Sequence, residues 1–113
     1  MRPFFYTCLI AVLFLATAGR ASAGCTFGSL SDGSGYCRAA FFLASGPSFS
    51  GSADQPVEWK VYSGASNPPG TLIFDTTDYS FGAGSNGSNQ WYKSCIQNNS
   101  GTTTSFYLCD SGP

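Results

Sequence analysis

The chain contains no histidine, and charged side chains make up only 10% of its 113 residues. Without imidazole there is no Ser-His-Asp or Cys-His nucleophile system, and the commonest general acid–base group is missing. The cysteines include no close C-x-x-C pair, so tetrahedral zinc spacing is absent as well, and no metal or cofactor is expected. No apolar run reaches the roughly 20 residues needed to cross a bilayer. No segment carries a convincing amphipathic helix. Cations are scarcest of all. Past residue 23 only Arg38, Lys60 and Lys93 remain, against Asp32, Asp54, Glu58, Asp75, Asp78 and Asp110, a net charge of −3. Three scattered cations cannot make the electrostatic footprint of a nucleic-acid binder or a polybasic membrane site.

What is present begins with an export signature. Met1 to Ala23 reads as a secretory signal peptide. Arg2 is the positive start, Phe4 to Ala16 is an apolar run broken only by Thr7, and Ala21-Ser22-Ala23 is a small-residue cleavage site. A lipoprotein signal would want an aliphatic residue where Ser22 stands, so Cys25 is not expected to carry lipid. Removing 23 of 113 residues leaves 90, enough for one domain spanning 24–113. The expected location is extracellular, or periplasmic in a bacterial source, with no membrane attachment after cleavage.

Cys8 leaves with the signal, so Cys25, Cys37, Cys95 and Cys109 imply two disulfides in an oxidising compartment. Three connectivities are open. A hairpin of Gln90–Gln97 with Thr103–Asp110, centred near Thr102, would set Cys95 opposite Cys109 at the 4.5–5.5 Å typical of facing Cβ atoms. That leaves Cys25 to pair with Cys37 across the Ser31–Gly35 turn. The expected bridges are therefore Cys25–Cys37 and Cys95–Cys109. The rival set, Cys25–Cys109 with Cys37–Cys95, would tie the two ends of the chain together.

The clearest alternation lies in Pro56 to Asp75, where Val57, Trp59 and Val61 face one way and Glu58, Lys60 and Tyr62 the other. A loop rich in turn formers, Ser63 to Gly70, leads to a second run at Thr71 to Asp75, so a strand–loop–strand unit is expected with Trp59 in the core. Tyr36 to Ala44 suits either a buried strand or two turns of helix, with the flanking Gly35 and Ser45-Gly46-Pro47 favouring strand. Ser45 to Gln55 and Gly82 to Asn89 read as loops, with a short strand at Asp78 to Phe81 between them. Together these predict an all-β, disulfide-stapled antiparallel sandwich or barrel of six to seven strands.

Val61 to Asp75 (VYSGASNPPGTLIFD), with Gly84 to Trp91 (GSNGSNQW), resembles the VYSGGSPG…VIF…GASGNNF pattern of the small fungal guanyl-specific ribonucleases and the effectors related to them. The resemblance covers about a third of the chain past residue 23. It implies an α+β ribonuclease-like fold as the alternative, and a secreted ribonuclease or toxin as the alternative function. The family's histidines are absent, as is the arginine expected between Gly70 and the IFD strand, so it implies a catalytically degenerate relative in which only Glu58 could stand in for the base. The W-x-V-Y…P-G-T-L stretch, followed by a glycine-led W-Y strand, is also similar to jelly-roll-like modules of exported bacterial proteins.

The leading expectation is a secreted, non-enzymatic interaction protein that binds an extracellular protein or glycan through an exposed β face or loops. Tyr62, Trp91 and Tyr92 are the candidate binding residues, because aromatics on a polar face suit sugar stacking or a protein interface. Asn86 and Asn98 sit in N-x-S sequons and are candidate glycan acceptors. Glu58 with Asp75, or Asp75 with Asp78, are the available carboxylate pairs.

Overall fold

The computed structural model describes residues 24–84 and 89–111; the expected signal peptide and Asn86 lie outside them. Seven strands follow in chain order: β1 (Gly24–Leu30), β2 (Gly35–Cys37), β3 (Phe41–Leu43), β4 (Ser48–Gly64), β5 (Thr71–Gly84), β6 (Gln90–Gln97) and β7 (Thr104–Asp110). All pairings are antiparallel, and the described residues contain no helix. The all-β expectation holds, as a nearly closed barrel-like sandwich. The α+β alternative is overturned, and Tyr36–Ala44 resolves into two short strands joined by 38–40.

The register reveals a simple plan. β5 runs the length of β4 on one edge. Along the other edge, β7 pairs with Phe49–Ala53 and β6 with Glu58–Gly64, end to end like one interrupted strand. Outside these lie β1 against β7, and β2 and β3 against β6. Four long ribbons therefore lie side by side, and each changes at the same level. β4 passes through 53–56 between register points Ser52 and Val57, β5 through Tyr79, β6 and β7 through the loop 98–103, and β1 and β2 through the turn 31–34. Folding at that crease makes two layers. The first holds β1, β7 and the ends of β4 and β5 nearest Ser48 and Gly84. The second holds β2, β3, β6 and the halves of β4 and β5 that flank their connecting loop.

The core fills the space between the layers. Val57, Trp59 and Val61 are buried as their alternation predicts, with Ile96 and Tyr92 beside them. Phe49, Phe81, Phe106 and Leu108 come from the first layer. Trp59 stacks on Phe81 at 4.9 Å and Phe41 meets Phe49 at 6.0 Å, so aromatic contacts run from layer to layer. The Trp59 indole NH donates to Asp78 O at 2.9 Å, which satisfies its one polar atom. Ser48–Gln55, expected as loop, is strand. Its glycine and serines allow close packing: a Cβ on Gly51 would lie 2.7 Å from Trp59 and 2.9 Å from Phe81.

The crease is held by side chains because its backbone cannot continue the ladders. Asn98 is completely buried there. Its Nδ2 donates to Leu30 O and Thr102 O, and its Oδ1 accepts from the Ser100 amide and hydroxyl. Asp32 accepts from the Gly101 amide and Asp54 from the Ser105 amide. Gly33 and Gly101 take positive φ at the two turns, the region open to glycine at little cost.

The disulfides are Cys25–Cys109 and Cys37–Cys95, which corrects the expected sequential pairing. The reason is topological. β6 and β7 are not a hairpin but occupy successive stretches of one edge of β4, so Cys95 and Cys109 sit in different layers. Each cysteine instead faces its partner across a ladder, Cys25 opposite Cys109 and Cys37 opposite Cys95, with Cα atoms 4.0 Å apart in both. One bridge staples the outer ribbon in each layer.

Two expectations follow for stability. The bridges span 84 and 58 residues of sequence. Replacing the Cys37–Cys95 pair with alanines removes about 4 kcal/mol by chain-entropy reasoning, read from urea unfolding. Asn98→Ala removes the side-chain partner of Leu30 O, Thr102 O and the Ser100 amide and leaves a void at a fully buried position, and costs about 3 kcal/mol in the same assay. Asn98→Asp, which cannot donate to Leu30 and Thr102, does not rescue it.

Candidate functional site

The outward face of the second layer gathers the functional groups that the alternation of β4 displays. Along β4 the residues pointing out are Glu58, Lys60 and Tyr62, and across β6 they meet Gln97, Cys95 and Lys93. Across β5 they meet Thr77, Asp75 and Leu72. Lys93 Nζ lies 5.2 Å from the centre of the Tyr62 ring, a cation–π contact. One step further along β6, Trp91 packs edge-on against Phe42 at 5.8 Å. Phe42 and Leu72 are each 46% exposed. The result is a shallow surface of aromatic and aliphatic side chains crossed by a short row of charges.

Tyr62 and Trp91 are thus brought to one face, on neighbouring strands. Tyr92 is not there. It alternates inward with Ser94 and Ile96, is fully buried, and packs on Phe41 and Phe49 at 6.0 and 6.2 Å. Its expected surface role is withdrawn. The Asn98 sequon is corrected too: a glycan on Nδ2 is incompatible with full burial and with the two hydrogen bonds that atom donates at the crease. Phe42 and Lys93 were missed by sequence reasoning. Strand parity could have found Phe42, since Phe41 and Phe42 must face opposite ways. A second exposed pair, Phe27 against Tyr107 at 5.7 Å, lies on the outside of the first layer beside Ser52.

Two carboxyls are perturbed, both upward. Glu58 is raised chiefly by a hydrogen bond with Asp75 and then by burial, against the pull of Lys60 at 3.7 Å. Asp75 faces Lys60 across the ladder and so shares this face with Glu58. Asp110 is raised by burial, against the opposing Arg38 guanidinium. Arg38 Nε donates to Asp110 Oδ2 at 2.7 Å and Nη1 to Thr26 Oγ1 at 2.7 Å, while Asp110 Oδ1 is buried without a hydrogen-bond partner. Among the described residues no group of three or more Cys, Asp and Glu is placed to hold a metal ion.

No family model matches the chain, and no curated protein matches it. Several solved structures are similar to it. A periplasmic inhibitor of g-type lysozyme from Aeromonas hydrophila is 13% identical with a TM-score of 0.50, over 82% of this chain and 90% of that one. A designed double-stranded β-helix is 18% identical with a TM-score of 0.48, over 77% of this chain and 97% of that one. A CBM4 structure is 13% identical with a TM-score of 0.46, over 83% and 86%. At these identities the likeness is one of fold alone.

Both perturbed carboxyls hold their protons more tightly in the folded chain than in the unfolded one. Their contribution is complete below the ordinary carboxylate range near pH 4 and is lost as pH rises through the raised values. The urea midpoint is therefore expected to rise, not fall, as pH is lowered toward about 4 through the range just above the ordinary carboxylate values. Glu58→Gln removes its share of that slope.

Proposed function

We propose that the chain is a small exported interaction protein that binds an extracellular protein or glycan through the outer face of the second layer, with Tyr62 and Trp91 as anchors. One observation carries this reading. Of the three cations past residue 23, Arg38 is locked to Asp110, and the other two, Lys60 and Lys93, both lie on the face that holds Tyr62 and Trp91. In a chain this poor in charge, that concentration supports a recognition surface, where aromatic side chains supply contact area and charges set orientation. Two disulfides suit an extracellular or periplasmic location. The periplasmic lysozyme inhibitor that shares this fold is compatible with that setting and identifies no partner.

A degenerate ribonuclease-like protein is the second reading, because Asp75 lies on the same face as Glu58 and raises its pKa. Its main stretch of resemblance forms the end of β4, the loop and the start of β5, in a structure whose described residues contain no helix.

Glycan arrays and pull-downs with the secreted protein test the proposal. Trp91→Ala and Tyr62→Ala are each expected to weaken capture tenfold or more, about 1.4 kcal/mol, with the melting transition retained. Retained binding by both variants, or RNA cleavage abolished by Glu58→Gln, would overturn it.

A further inference from the structure

The two edges of the folded sheet are built differently. One is made of β1, β2 and β3, strands of seven, three and three residues, interrupted by a turn and a linker and stapled by both disulfides. The other is β5 alone, fourteen residues long and, among the described residues, paired only with β4. Natural sheets protect such an edge with lysine, proline or short strands. β5 has no lysine, arginine or proline, and its sequence TLIFDTTDYSF is rich in β-branched and aromatic residues. Its ladder with β4 is irregular at two places, Ile73, an extra residue 42% exposed, and Tyr79 at the crease. Outward amides and carbonyls of an antiparallel edge are a template for another strand.

We infer that the free edge of β5 accepts an extended, basic segment of a partner protein as an added antiparallel strand. The charge on this edge selects the occupant. Asp75 and Asp78 are its only ionisable groups besides Tyr79, and Asp75 lies on the outer face beside Glu58. A second copy would set these acids against their own kind across a two-fold axis, whereas a segment with lysine or arginine at alternate positions complements them. The strand would also widen the Tyr62–Leu72 surface sideways. The inference rests on the proposed binding role and narrows its partner from a protein or glycan to a protein segment in β conformation.

The probes are two synthetic peptides of about ten residues, a usual strand length, one alternating valine with lysine and one alternating valine with glutamate. Amide hydrogen exchange and NMR shifts of the secreted protein report the site. The lysine peptide is expected to protect alternate amides of β5 between Thr71 and Phe81, and the glutamate peptide to bind at least about tenfold more weakly. Asp75→Asn is expected to weaken the lysine peptide about threefold, the size of an exposed ion pair. N-methylation of the peptide backbone should abolish binding. Protection absent from β5, protection equal for both peptides, or protection that grows with protein concentration alone (a second copy at the edge) would each overturn the inference. Trp91→Ala reports on the aromatic face and the β5 amides on the edge, so failure of one reading is distinguished from failure of the other.

Discussion

The crease governs this molecule. Four antiparallel ribbons bend at one level, and every bend takes backbone amides and carbonyls out of their ladders in a place where water cannot reach all of them. Asn98 answers most of that demand with one amide side chain, donating twice and accepting twice at full burial. Asp32 and Asp54 each take one further amide. Only when these groups are satisfied can the layers close, because an unpaired buried polar atom costs as much as several buried methylenes supply. Burial of Trp59 against Phe81 depends on that closure, since the two residues belong to different layers.

Closure along the disulfide-stapled side relies on a second polar device. Arg38, in the link between β2 and β3, reaches across to Asp110 at the end of β7 and to Thr26 of β1. Thr26 also meets the Tyr36 hydroxyl at 3.2 Å. A buried ion pair is weak evidence for net stability, since both charges lose water. Its value here is directional. It fixes which part of the second layer sits over the first, a matter on which apolar packing between Phe41, Phe49 and Tyr92 is less selective. The upward displacement of the Asp110 pKa records the cost of that burial, only partly offset by the guanidinium.

Much of this was legible in the sequence, for reasons that can be traced. The alternation of Val57, Trp59 and Val61 named the core of β4 correctly, and Gln90–Gln97 has the bounds that were read from it. Local pattern gives strands but not their neighbours. Hence local pattern favours a β6–β7 hairpin, cysteines joined in sequence order and a β4 that begins at Pro56, because the serines and Gly51 resemble a loop, whereas Trp59 and Phe81 fill the space above the glycine. The same blindness affected the site. Parity could say that one of Trp91 and Tyr92 faced outward, not which. Nothing in an N-x-S triplet signals that its asparagine anchors a fold.

The scarcity of charge, first a reason to set functions aside, ends as a guide to where function lies. Arg38 is consumed by the fold. Asp32 and Asp54 bind backbone amides, and Asp78 accepts from the Tyr79 amide. What remains free of a structural duty is Glu58, Lys60, Asp75 and Lys93, and all four lie on the outward face of the second layer. The first layer shows water an aromatic pair, Phe27 with Tyr107, a cross-strand contact that needs no ligand to explain it. The two faces thus differ in kind. A partner that aligns by electrostatics can read only one of them, and that face runs directly into the unguarded edge of β5.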